Sequence, residues 1–171
     1  MPGLKRGRTT ARETAPVRPV EHAIVEATLD HLPAVVADMV RLQRLLGGRP
    51  TELCIMRPCD VDRGGEVWVY TPSSHKTEHH GRERRIFVGP KAQAILAPYL
   101  LRDHAAHCFS PAESEAERHR AMRENRKTPV QPSQRKRRKA KPKRQPTDKY
   151  TKDTYYRAVA RACDMADSRG M

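Results

Sequence analysis

Apolar residues recur at helical spacing from Val20 onward. Ile24, Val25, Ala27 and Leu29 mark a short first helix. Asp30 is placed to cap the next one, with Pro33 in its first turn, where proline is tolerated. Leu32, Val35, Val36, Met39, Val40, Leu42, Leu45 and Leu46 form one stripe on that second, amphipathic helix, and Gly47-Gly48 ends it. A short helix from Pro50 to about Met56 stops before Pro58. Then the period changes. Glu66 to Tyr70 reads as a strand from its β-branched and aromatic content, Ser73 to Thr77 as a second strand carrying Lys76, and Arg84 to Val88 as a third. A turn at His79-His80-Gly81 joins the last two into a basic hairpin. Helical spacing returns from Pro90, with Ala92, Ile95, Leu96, Tyr99 and Leu100 facing inward. Cys108-Phe109-Ser110 reads as a short extended piece, and Ser110 is placed to cap a polar helix from Pro111 to about Asn125. A last helix spans Tyr150 to Ala166, capped by Thr151 or Asp153, with Tyr155, Val159, Ala162 and Cys163 on one face. The expected fold class is α+β and mainly helical, with helices around a small three-stranded antiparallel sheet.

Composition divides this pattern into ordered and unordered parts. Residues 1–19 are rich in Arg, Lys, Thr and Pro and read as a flexible basic arm. Residues 20–126 carry the periodic pattern. Residues 127–149 are dominated by Lys, Arg, Gln and Pro with no apolar face, so a disordered basic insertion is expected there. Residues 150–171 supply the final helix. The chain has 171 residues, which suits one domain, and 34 Lys+Arg against 20 Asp+Glu leave a net charge of +14. Such a balance calls for a polyanionic partner, nucleic acid before membrane. The run Arg135 to Arg144 alone is a candidate phosphate tether with steep salt dependence.

Cysteine usage sets the compartment. Cys54, Cys59, Cys108 and Cys163 form no C-x-x-C pair, as expected of free thiols in a reducing cytoplasm. His104, His107 and Cys108 lack a second ligand pair at zinc-finger spacing, so no metal or cofactor is expected. No apolar run is long enough to span a bilayer.

The candidate chemistry lies in Leu45 to Asp60, LLGGRPTELCIMRPCD. A glycine pair permits a sharp turn or close backbone approach. Arg49, directly after it at the start of a helix, is placed to hold an anion with its guanidinium fork and the helix N–H groups. Glu52, one turn along, can steady that guanidinium. An Arg-x-x-Glu pair taken alone is ordinarily a surface ion pair worth only ~0.3–0.5 kcal/mol.

The order of motifs resembles the catalytic domain of the tyrosine recombinases, the phage-integrase-type site-specific recombinases. Their first box, T-G-x-R-x-x-E-L-x-x-L-x-x-x-D-I, is matched by Gly47-Gly48-Arg49-Pro50-Thr51-Glu52-Leu53, with Met56 for the leucine and Asp60-Val61 closing it. Their hairpin lysine matches Lys76 in HKTEHHGRERRIFVGP. The resemblance covers Val20 to about Leu101 and resumes at Thr151 to Ala166, with the basic stretch between as an insertion. It implies strand cleavage by a tyrosine, with Arg49 holding the scissile phosphate and Lys76 as the general acid on the departing 5′ oxygen. Arg82, Arg84 and Arg85 would then be available to make that lysine a stronger acid. The family's H-x-x-R box and nucleophilic tyrosine do not follow Ala166. His79-His80-Gly81-Arg82 spells the box but sits in the hairpin, and Tyr150, Tyr155 and Tyr156 precede the expected position and read as core or linker residues. On this resemblance the amino-terminal clamp domain is expected to be missing as well. The expectation is therefore a DNA-binding recombinase fragment, inactive alone, with marginal stability from apolar faces left uncovered on the Leu32–Leu46 and Tyr155–Cys163 helices. Its expected partners are the DNA phosphate backbone and other recombinase protomers, with no membrane and no small-molecule substrate. Its expected place is the cytoplasm, at the nucleoid. The alternative is a non-enzymatic basic nucleic-acid-binding protein that uses the Arg135–Arg144 run and ignores Arg49.

Overall fold

The computed structural model describes residues 15–16, 18–76, 81, 83–132 and 146–168. Most of the basic arm, the centre of the basic insertion with the whole Arg135–Arg144 run, the hairpin tip over 77–80, and Arg82 lie outside the described residues.

Six α-helices and one sheet are described. Helix α1 spans His22–Leu29 and α2 spans Ala34–Leu46. Pro33, not Asp30, occupies the N-cap of α2, and its carbonyl accepts the Ala37 N–H at 2.9 Å, while Asp30 closes α1 instead. Proline lacks an N–H, so it is favoured where the first helical donors are unpaired anyway. The α2 stripe buries Val35, Val36, Met39 and Leu42, but Leu45 is exposed. At 100° per residue Leu45 falls roughly 80° round from Val35, outside the arc that meets the core. Gly47 ends α2 in the left-handed region at φ 58°, its N–H donated to the Gln43 carbonyl. Helix α3 is a five-residue piece, Pro50–Cys54, and a 3-10 turn follows at Pro58–Asp60.

The sheet is antiparallel in the order β1 (Val61–Asp62), β2 (Trp68–Tyr70), β3 (Ile86–Val88). Val61 and Ile86 both pair with Tyr70. This corrects the expected second strand at Ser73 to Thr77. β2 pairs directly with β3 and carries β1 on its other edge, so Ser73–Lys76 has no place beside β2 and forms bends and a turn instead. Val61, Tyr70, Ile86 and Val88 point into the core, whereas Phe87 points out, as the two-residue period of a strand requires.

Helix α4 (Pro90–Leu96) continues as a 3-10 turn, Ala97–Leu100, and packs on α2. The Cys108-Phe109 segment is bent rather than extended, yet it is a core element. The Cys108 N–H donates to the Met56 carbonyl at 2.8 Å, and the Phe109 ring lies 4.9 Å from Tyr99 at a 55° tilt. Helix α5 (Pro111–Glu124) buries nothing, in keeping with its polar sequence. Ser110 occupies its N-cap without a side-chain hydrogen bond. Helix α6 (Lys152–Ser168) is capped by Thr151, whose hydroxyl accepts the Thr154 N–H at 3.2 Å. Its buried face is Tyr155, Ala162 and Ala166, with Cys163 turned outward. The small alanines allow α6 close to α1 and α3. Between α1, α2 and α6 an open, largely apolar groove of about 560 Å³ remains, bordered by Val25, Val40, Tyr156 and Val159.

Cys54 and Cys108 are buried and Cys59 and Cys163 are exposed, all as free thiols. Burial pushes Cys54 up to about 11 and Cys108 up to about 12. A thiol reagent at about pH 8 is expected to label Cys59 and Cys163 in the native protein and the other two only after unfolding, because the thiolate is the reacting form. Mass spectrometry of the labelled chain checks this, and fast native labelling at Cys108 would contradict the core placement. No helix among the described residues is long and apolar enough to cross a membrane.

Candidate anion-binding site

Gly47 and Gly48 bring the chain out of α2 and onto the carboxylate of Glu52. Gly48 is buried, and a Cβ there would lie 3.2 Å from Leu53 Cδ1 and 3.8 Å from Glu52 Oε2. A side chain at this position would press on Leu53 and touch the acid, so glycine lets the backbone settle there. Arg49 is the N-cap residue of α3. Its backbone N–H donates to Glu52 Oε2 at 2.8 Å, and its Nη1 donates to Oε1 at 3.3 Å.

The pair expected from sequence is therefore present, but it is not an ordinary surface pair. Glu52 is only 1 % exposed, while Arg49 keeps 39 % of its side-chain surface. A buried carboxylate loses several kcal/mol of hydration unless partners replace it. A second partner does so here. Arg84, just ahead of β3, places Nε 2.6 Å from Glu52 Oε1. The Glu52 carbonyl in turn accepts the Tyr70 hydroxyl from β2 at 2.5 Å. Helix α3 and the central strand are thus locked together around one acid.

Arg84 is the residue whose role the sequence did not disclose. From the sequence it is available to make Lys76 a stronger acid, with DNA-backbone contact as its nearer role. In the structure its Nε lies against Glu52, and Arg85 pairs with Glu83 at 2.8 Å. Lys76 itself is exposed on the turn that follows β2. Asp60, which closes the first box, holds Arg57 through two hydrogen bonds of 2.9 and 2.8 Å, and that contact raises the arginine's pKa further. It supports the Pro58–Asp60 turn from which β1 starts.

The phenols are mostly occupied. Tyr70, Tyr99, Tyr150 and Tyr155 donate to the Glu52 carbonyl, Asp38, Ser114 and Gln43 respectively. Burial first of all pushes each of the four up from its ordinary pKa. Tyr156 is the exposed one, at 70 %. Among the described residues, no three His, Cys, Asp or Glu side chains gather where a metal could sit. Cys108 in particular faces the core, away from a ligand role.

Fold and site together define a mixed helix and sheet protein with an arginine-bearing turn built on a buried acid. No protein-family model, no curated protein and no solved structure matches the chain. Its likeness to the recombinases rests on the residues of the two motifs alone.

Proposed function

We propose that this chain is a DNA-binding protein of the tyrosine-recombinase type, whose folded part grips the phosphate backbone through Arg49. The observation that carries the reading is the buried Glu52, which fixes an accessible guanidinium at the glycine turn. A fixed fork matches the oxygens of a phosphodiester and loses little entropy on binding them. The net charge of +14 supplies the long-range attraction. Lys76, exposed after β2, is the second residue the reading places at the DNA, as proton donor to a leaving oxygen in a complete active site. Partner protomers of a recombinase are the proteins it would meet there.

The state of the tyrosines favours binding without cleavage by this chain alone. A nucleophilic phenol must be reachable and readily deprotonated. Four of the five are buried or half-buried, engaged in hydrogen bonds, and pushed the wrong way. The test uses a nicked suicide duplex incubated with the protein and resolved under denaturing conditions. Binding is expected with no covalent protein–DNA product. A covalent product that disappears in Tyr155→Phe or Tyr156→Phe would overturn the binding-only assignment.

A further inference from the structure

Glu52 Oε1 is approached by two guanidinium groups at once, Nη1 of Arg49 at 3.3 Å and Nε of Arg84 at 2.6 Å. The two forks are therefore within one oxygen atom's reach of each other, although their residues lie far apart in sequence. Arg84 meets the acid through Nε as a close charge contact, without hydrogen-bond geometry. Both side chains keep access to water, at 39 % and 30 % exposure, while the acid beneath them has almost none. The floor is closed by the Gly48 backbone, packed on Leu53 and on Glu52 itself.

The charges do not balance. Two cations share one carboxylate, and a surplus of one positive charge remains at close range. A monoanion seated across both forks would complete the neutralisation. We propose that Arg49 and Arg84 together form a seat for a single phosphodiester group, with Glu52 as the positioning residue that holds both guanidinium groups beside it. The assignment deepens the DNA-binding function proposed above and rests on it. It adds a second phosphate ligand, delivered from the strand side of the site, and it gives the buried acid a task beyond capping a short helix. A phosphodiester suits two separate forks because its two non-bridging oxygens diverge from a tetrahedral phosphorus, whereas the two oxygens of a planar carboxylate are matched by a single fork.

The test follows the arginine Nε–Hε signals by NMR in the ¹⁵N-labelled full chain during titration with a thymidine dinucleotide, which carries one phosphodiester. Signals are assigned from the spectra of Arg49→Lys and Arg84→Lys. The Arg49 and Arg84 signals are expected to move together with one midpoint. Arg84→Lys keeps the charge beside Glu52 but loses the fork, and it is expected to raise that midpoint about tenfold, the loss of one bidentate contact. Movement of Arg49 alone would overturn the two-arginine seat and leave the DNA-binding function standing. Movement of neither would remove both.

Discussion

Replacing Glu52 by glutamine is expected to cost about 3 kcal/mol of folding stability, measured by urea unfolding at neutral pH. Glutamine keeps the shape and can still accept the Arg49 N–H, so the short helix retains its start. What disappears is the charge that two arginines share. Breaking a buried pair usually costs ~3–5 kcal/mol, and the low end applies because both guanidinium groups keep contact with water. Against a total stability of about 5–15 kcal/mol, the loss is large enough to shift the midpoint clearly. Adding Arg84→Met to the glutamine variant should recover part of it, since one of the two stranded cations is then gone. A cost below about 0.5 kcal/mol for Glu52→Gln would mean that the pair behaves as an exposed one.

Phe109→Ala is expected to cost about 3–5 kcal/mol, through lost burial and the cavity left behind. Phe109 is fully buried against Tyr99 in the otherwise irregular segment before α5. For a chain of this length the change corresponds to a drop of roughly 10 °C in the thermal midpoint. A drop of only a degree or two would show that the segment is not part of the core. Together the two substitutions probe two kinds of contact, the acid under the arginine turn and the Phe109 ring packed on Tyr99.

Local chemistry in the sequence anticipates local structure here, and fails where a distant partner decides. The α2 stripe, the Gly47 stop, the proline-led α3 and α4 and the polar α5 follow from spacing, capping and conformational limits within a few residues. The Arg49–Glu52 pair is of the same kind, one helical turn apart. The Arg84 contact with that same acid is not, because nothing local to Arg84 says which carboxylate it will meet. Ser73–Lys76 reads as a strand of the hairpin, but β2 pairs directly with β3 and β1 takes its other edge. On α6 the choice of Ala166 over Cys163 for the buried face depends on how closely the neighbouring helices approach. The burial of Glu52 was equally invisible, since a glutamate beside an arginine is exposed in most helices.

The basic run at 135–144 and the folded turn at Arg49 are the places that the two DNA-binding hypotheses put first. The most direct measurement compares duplex-DNA dissociation constants for the natural chain, for Arg49→Ala, and for a chain lacking residues 135–144, across a range of salt concentrations. Arg49→Ala is expected to weaken binding about tenfold and to lower the log–log salt slope by roughly one phosphate contact, in the full chain and in the shortened one alike. If Arg49→Ala binds as tightly as the natural chain while removing 135–144 abolishes binding, the site on the buried acid does not hold DNA, and the protein is a basic nucleic-acid binder that works through its charge run.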